Sequence, residues 1–267
     1  MNTLDFTKMV AAGNDFILLD NRVKGVSFHT TRYKDIAQTL CHRKTGIGAD
    51  GLLVLENSNV ADLRMRIFNA DGSEAEMCGN GLRCVARHCG KKGLLKIETL
   101  AGIYEALVKG SHVKIKMGQP GDIKISLPIS IARRTLRLNF INTGVPHAVV
   151  FVEGLDRIDV ENLGRSIRYH RKFKPGGTNV DFVEVVDDKN IKMRTYERGV
   201  EGETLACGTG AVGSAIISNI VQGTASIVNV HAPGGILKVY FKKENNHIKD
   251  VYLEGEVREV FRGRVDI

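Results

Sequence analysis

Residues 62–86 (DLRMRIFNADGSEAEMCGNGLRCVA) and 190–215 (NIKMRTYERGVEGETLACGTGAVGSA) carry the same features in the same order, and this duplication limits the folds open to the chain. Each copy begins with alternation, Leu63, Met65 and Ile67 in the first and Ile191, Met193 and Thr195 in the second, which is the period of a half-buried strand. A polar loop containing Gly and Glu follows, then Cys-Gly-x-Gly, then a segment with helical periodicity. Met65 to Cys78 spans 13 positions and Met193 to Cys207 spans 14, so one single-residue gap aligns the copies. The flanks extend the likeness. Gly13-Asn14-Asp15-Phe16 resembles the run from Thr178 to Phe182, and residues 101–106 resemble residues 234–239. A repeat on this scale predicts two halves built alike.

Strand signals dominate both halves, from Phe16–Asp20 and Leu52–Leu55 in the first to Ile236–Phe241 and Ile248–Leu253 in the second. Short Gly-, Asp- or Asn-containing turns such as Lys109-Gly110-Ser111 join many of them. After Gly79, residues Leu82, Val85, Ala86 and Cys89 form one apolar stripe at helical spacing, whereas residues 208–221 are apolar on nearly every side and predict a wholly buried helix. The fold class expected is α/β, more closely α+β. It consists of two pseudo-symmetric domains, each a bent, mostly antiparallel sheet wrapped around a central helix. The division is placed at 1–130 with Cys78 and 131–267 with Cys207, leaving room for the last strand to return to the first domain.

Of 267 residues 43% are hydrophobic and 25% charged, enough for cores in both halves and against a disordered chain. Lys plus Arg exceed Asp plus Glu by 38 − 30 = 8, which raises nucleic acid as a partner, but the basic residues are scattered along strand faces. No Trp and only 6% aromatic residues leave stacking platforms poorly supplied, so no nucleic-acid partner is expected. Apolar runs fall short of the roughly 20 residues a bilayer-spanning helix needs, and MNTLDFTKMV lacks the pattern of an export signal. A cytoplasmic location with no membrane partner follows as an expectation. Cysteines 41, 78, 84, 89 and 207 include no C-x-x-C pair and predict free thiols with no metal site.

Cys78 and Cys207 stand directly before the two predicted helix starts, where unpaired backbone N–H groups and the helix dipole gather. Such a position lowers a thiol pKa from its free value of roughly 8.5 and also binds carboxylate. If the two halves pack about a pseudo-twofold axis, one thiol lies on either side of a bound amino acid. That pair suits inversion at an α-carbon: one thiolate removes the proton while the opposed thiol delivers another. N–H donors on the carboxylate would stabilise the charge that develops in the transition state.

The strings GNDFILLD, IFNADGSEAEMCGNGLRC, NTGVPHAVV, PGGTNVDFVEV and YERGVEGETLACGTGAV resemble the diaminopimelate epimerase family in the family's own order, and the likeness covers essentially the whole chain. The resemblance implies an isomerase with no cofactor that interconverts LL- and meso-diaminopimelate in lysine and peptidoglycan biosynthesis, with a small-molecule substrate and a homodimeric state. It implies Cys78 and Cys207 as the acid/base thiols, with His147 and Glu197 helping to set their protonation. Gly79, Asn80, Gly208 and Thr209 are implied to hold the reacting carboxylate, and Asn14, Asn69, Asn179, Glu197 and Arg198 to contact substrate. Each has an ordinary alternative. The three asparagines suit Asx turns, Asn80 and Thr209 suit helix caps, His147 suits a turn after Pro146, and Glu197 has Arg194 and Arg198 as partners. Cys41, Cys84 and Cys89 read as packing residues.

Two positions depart from the family pattern: some members carry Gln where this chain has Gly51 and Asn where it has Val145. Loss of both amides points to a differently held far end of the substrate, or to a shifted preference. The alternatives that remain are a racemase or epimerase of another amino acid on the same fold, cysteine acyl transfer by Cys207 with His147 as base, and a non-enzymatic basic binding module. Acyl transfer leaves the duplicated Cys78 without a role.

Overall fold

A computed structural model describes residues 3–22, 32–90, 93–131, 134–245 and 247–266. The chain divides into two compact units, Met1–Ile115 with Gly255–Ile267, and Lys116–Glu254. In the first, strands β1 (Thr3–Ala11) and β2 (Asn14–Asp20) lead to helix α1 (Tyr33–Cys41), then β3 (Gly51–Glu56), β4 (Leu63–Asn69) and the short β5 (Glu74–Ala75). Helix α2 (Gly79–Cys89) and strands β6 (Gly93–Thr99), β7 (Gly102–Lys109) and β8 (His112–Lys116) complete its continuous part. The second holds β9 (Gly121–Ile131), β10 (Arg134–Asn142), β11 (Pro146–Phe151), α3 (Val160–Arg168), β12 (Asn179–Val185), β13 (Asn190–Glu197), β14 (Gly202–Thr204), α4 (Gly208–Gln222), β15 (Ile227–Ala232) and β16 (Gly235–Glu244). The last strand, β17 (His247–Asp266), gives its first residues to the second unit and its remainder to the first.

The division falls after Ile115 because β9 hydrogen-bonds along its length to β10 and so belongs with the second unit. A partition at 1–130 and 131–267 would separate those two strands. Residues 132 and 133, beside that partition, lie outside the described residues.

Pairing is mostly antiparallel, with two parallel pairs in each unit that the sequence reading of antiparallel sheets did not foresee: β2 with β3 and β4 with β6, then β11 with β12 and β13 with β15. The pairing plan of the two units is the same. Phe16 faces Gly51 and Gly51 faces Asn69 in the first. His147 faces Asn179, and Asp181 faces Thr195, in the second. Carrying the registers through equates β2 with β11, β3 with β12 and β4 with β13. This corrects one flank of the sequence alignment. The N-x-D-F likeness matched β2 to β12, yet hydrogen bonding makes Phe16 the counterpart of His147 and Gly51 the counterpart of Asn179. The other flank holds, since Thr99 faces Gly102 as Ala232 faces Gly235.

Each central sheet is covered on both faces, which is why β3 (GLLVLE) and β12 (NVDFVEV) read as nearly continuous apolar runs. Alternate residues divide between two helices. In the first unit Ile17, Leu52, Val54 and Phe68 pack on Tyr33, Ile36 and Leu40 of α1. In the second Ala148, Val150, Val180 and Phe182 pack on Val160 and Ile167 of α3. The opposite faces receive α2 and α4, so each unit has an outer helix in addition to the central one expected. Residues Gly210–Ser218 of α4 are all buried, as its apolar surround predicts. Gly90 and Gly223, both with positive φ, close the two central helices with the left-handed cap a side chain would oppose.

Candidate active site

Within each unit the strand ends gather that unit's candidate residues at one end of its own sheet. In the first, Asn14 begins β2, Gly51 begins β3 and Asn69 ends β4, so parallel and antiparallel pairing put all three at one end of the sheet. The β4–β5 hairpin then returns the chain to Cys78, the cap residue of α2. In the second, Asn179 begins β12 and Glu197 ends β13 beside His147, and the β13–β14 hairpin returns the chain to Cys207, the cap residue of α4. Asn80 and Thr209 therefore lie inside the first helical turn and are not caps. None of the five cysteines is in a disulfide, and no helix among the described residues is long and apolar enough to cross a membrane.

Around Cys78 the thiol is partly exposed, and its Sγ accepts the Gly81 N–H at 3.5 Å. Asn80 is buried and its Oδ1 accepts from Nη2 of Arg83. Arg83 is fully buried, and its Nε and Nη1 find no partner among the described residues. Burial lowers its pKa, opposed by the thiols of Cys84 and Cys78. The buried Oδ1 of Asn14 also lacks a donor among the described residues. Asn69 Nδ2 donates to Ser73 Oγ at 2.9 Å within its own loop. Gly51 has no room for a side chain, because a Cβ there would lie 2.9 Å from the Phe68 carbonyl oxygen.

Around Cys207 the setting is polar and dry. His147 and Asp181 are both fully buried, with Nδ1 2.7 Å from Oδ2. Thr195 Oγ1 donates to the other carboxylate oxygen at 2.7 Å. On its far side His147 Nε2 lies 3.0 Å from Thr209 Oγ1, which lies 3.4 Å from Cys207 Sγ. Gly210 makes this contact feasible, since a Cβ there would stand 2.5 Å from Asp181 Oδ1 and 3.2 Å from His147 Cε1. Thr143 Oγ1 donates to the Thr209 carbonyl at 3.0 Å and fixes the first turn of α4 against the β10–β11 connection.

At Cys207 the Thr209 hydroxyl and the Gly210 N–H of the helix start favour the thiolate but are outweighed. Burial pushes the thiol well up, and the acids Glu197 and Asp181 push it further. A helix terminus supplies roughly 0.3–2 kcal/mol, about one pKa unit, whereas full burial shifts an acid by up to about 3–5 units, so desolvation wins. Burial likewise raises Glu197, offset in part by Thr204 and His147. Arg194 does not partner Glu197; it holds Glu203 through two bonds of 2.7 Å. Arg198 makes no ion pair with Glu197, and Nη1 donates to the Gly176 carbonyl at 3.4 Å. Asn179 is committed to the backbone, with Nδ2 donating to the Pro146 carbonyl at 3.0 Å and Oδ1 accepting the Arg198 N–H at 2.8 Å. Cys41 and Cys84 are buried packing thiols, the first raised to about 11 by burial, while Cys89 is only half-buried.

Sequence reasoning passed over Asp181, Thr195 and Arg83. The available signal was a charged or polar residue inside an element buried all round, as with Asp181 between Val180 and Phe182.

A family model described as diaminopimelate epimerase matches residues 6–122 and 139–260. The chain belongs to the diaminopimelate epimerase family. The diaminopimelate epimerase of Caldanaerobacter subterraneus subsp. tengcongensis is 46% identical over 98% of this chain and 99% of its own length. That of Archaeoglobus fulgidus is 44% identical over 97% of this chain and 95% of its own length. The fold is shared more widely: a phenazine biosynthesis protein of the PhzF family from Bacillus anthracis superposes with a TM-score of 0.76 at 21% identity, over the whole of both chains.

Proposed function

We propose that the chain epimerises diaminopimelate between its LL and meso forms without a cofactor, in the cytoplasmic route to lysine and peptidoglycan, acting as a homodimer. The observation that carries this reading is the placement of Cys78 and Cys207 at the same cap position of two helices in units with one pairing plan. In each direction one thiolate takes the α-proton and the other sulfur returns a proton to the opposite face. Only a pair can invert a centre and be ready to run backwards. The N–H groups of Gly79, Asn80, Gly208 and Thr209 are the donors for the reacting carboxylate, at helix starts whose dipoles favour it. Arg198 offers a fork to the second carboxylate, and the unpartnered Oδ1 of Asn14 suits an ammonium donor. At positions 51 and 145, Gly51 and Val145 leave the chain without the amides that some family members carry there.

The test is to incubate the protein with LL-diaminopimelate and follow the meso form, alongside a panel of L-amino acids. Appearance of meso product with the others untouched is expected. Racemisation of a different amino acid, with diaminopimelate inert, would favour the alternative substrate. Sedimentation at assay concentration checks the dimer.

A further inference from the structure

The positions that build the hydrogen-bonded chain under Cys207 are held by apolar residues in the other unit. The registers equate His147 with Phe16, Asp181 with Leu53 and Thr195 with Ile67, so three apolar residues of one unit become three bonded polar residues in the other. The central helices confirm the match. A Cβ at Gly81 would meet Leu53 Cδ2 at 2.9 Å and Ile67 Cδ1 at 3.5 Å, as one at Gly210 meets Asp181. A packing role is filled by Phe, Leu and Ile at far lower desolvation cost than by a buried His and Asp.

We propose that Asp181 is a positioning residue that fixes His147 so that the Thr209 hydroxyl passes protons between His147 and Cys207, a relay serving one thiol only. This rests on the epimerase reading for its purpose, but the relay is a property of the unliganded chain. Both oxygens of Asp181 accept, one from Thr195 and one from His147 Nδ1–H, so Nε2 is the nitrogen turned to Thr209. The donor order then takes one of two senses. With Nε2 unprotonated, Thr209 O–H donates to Nε2, and its oxygen accepts the Cys207 S–H. With Nε2 protonated, Nε2–H donates to the Thr209 oxygen, and Thr209 O–H donates to the Cys207 thiolate. Conversion of the first into the second breaks the S–H bond, forms an O–H bond at Thr209, and moves the original Thr209 proton to Nε2. Charge balances as thiolate and imidazolium, with Asp181 as counter-ion.

The groups facing this chain are few. Helix α4 carries no charged residue, and Glu197 and Asp181 of the packed strands are the charged groups that act most on Cys207 among the described residues. Glu184 of β12 accepts the Gly154 and Leu155 N–H groups, Arg194 of β13 holds Glu203, and His231 of β15 meets Asn190.

The test reads thiolate at Cys207 without substrate, by the pH dependence of its alkylation with iodoacetamide, followed by mass spectrometry of the Cys207 peptide. Asp181→Asn is expected to shift the half-maximal pH upward by about one unit, because an imidazolium without its carboxylate supports the thiolate less well. Thr209→Val is expected to shift it in the same sense and Thr209→Ser to restore it. Were Asp181 acting only through space, its removal would shift the profile downward, and a downward or absent shift overturns the relay. If Asp181→Asn does not fold, Thr209→Val against Thr209→Ser decides alone, and equal profiles for those two overturn it. A normal relay in a protein inert towards diaminopimelate would instead count against the assigned substrate.

Discussion

The two thiols occupy equivalent positions in equivalent frames and have opposite surroundings. Cys78 is partly exposed, accepts a backbone N–H, and shares its helix with a buried guanidinium that has no carboxylate partner among the described residues. Cys207 is 7% exposed, with two acids raising its pKa and a polar relay beneath it. The duplicated frame supplies two equivalent helix-capping thiols, and differences at inward positions of three strands and one helix make their surroundings unequal. The proposed reaction, run in both directions by two sulfurs, gains from that inequality. Each sulfur then has its own means of carrying a negative charge: a fixed cation near one, a movable proton near the other.

The comparison breaks most visibly if the second unit is given the first unit's residue. His147→Phe is expected to lower kcat for epimerisation by about 10²-fold or more, the usual worth of a positioned acid/base group, while the protein stays folded by circular dichroism. Next comes the pair of glycines. Gly210→Ala forces a methyl against Asp181 and is expected to cost roughly ten- to a hundred-fold in kcat, as a displacement near 1 Å can. Gly81→Ala meets only the apolar tip of the buried Leu53, away from any hydrogen-bonded group, and is expected to stay within about threefold in kcat. Steady-state assays of both variants measure the contrast, and equal losses would show that helix packing, not the dyad, sets the effect.

A smaller effect is expected at Arg83. Arg83→Met replaces an unpaired buried charge with an apolar chain, so thermal stability should stay within about 1 kcal/mol of the parent or rise. Alkylation of Cys78 at pH 7 should slow several-fold as its nearby cation is lost, with that of Cys207 unchanged. The smallest contrast concerns acid. At Asp15 and Asp20 burial opposes ionisation, but bonds from Arg43 and Lys8 at the first and from Arg22 and His88 at the second outweigh it and hold both carboxyls well below the usual range. A depressed pKa contributes stability above the ordinary carboxylate pKa of about 4 and loses it as pH falls below that value. Glu197 is raised, so protonation favours its folded form and acid removes nothing there. Amide exchange, corrected for intrinsic rates, should therefore show β2 losing more protection than β13, which ends on Glu197, between pH 7 and pH 3.

The strands and both helix-capping thiols were legible because period-two alternation and Cys-Gly-x-Gly are local patterns, repeated twice. What escaped was set by register or by burial on a second face. Asn14-Asp15-Phe16 and Asn179-Val180-Asp181-Phe182 share letters but sit on non-equivalent strands, which only the hydrogen-bond ladder reveals. Helix α3 was missed because Gly164 reads as a helix breaker; it is there because a Cβ would stand 2.5 Å from Tyr196 Cβ. In α1 the buried set Tyr33, Ile36, Ala37, Leu40 and Cys41 follows helical spacing, so that signal was present and was passed over. Asp181 and Arg83 look like exposed charges in a string of letters, and only an element closed on both sides makes them buried.

The account stands most directly on solvent hydrogen. In deuterated water, LL-diaminopimelate converted to the meso form should carry one solvent deuterium at the inverted α-carbon, and Cys78→Ala and Cys207→Ala should each lose the conversion. Meso product without deuterium, or epimerisation surviving in either single variant, would contradict a mechanism built on two sulfurs.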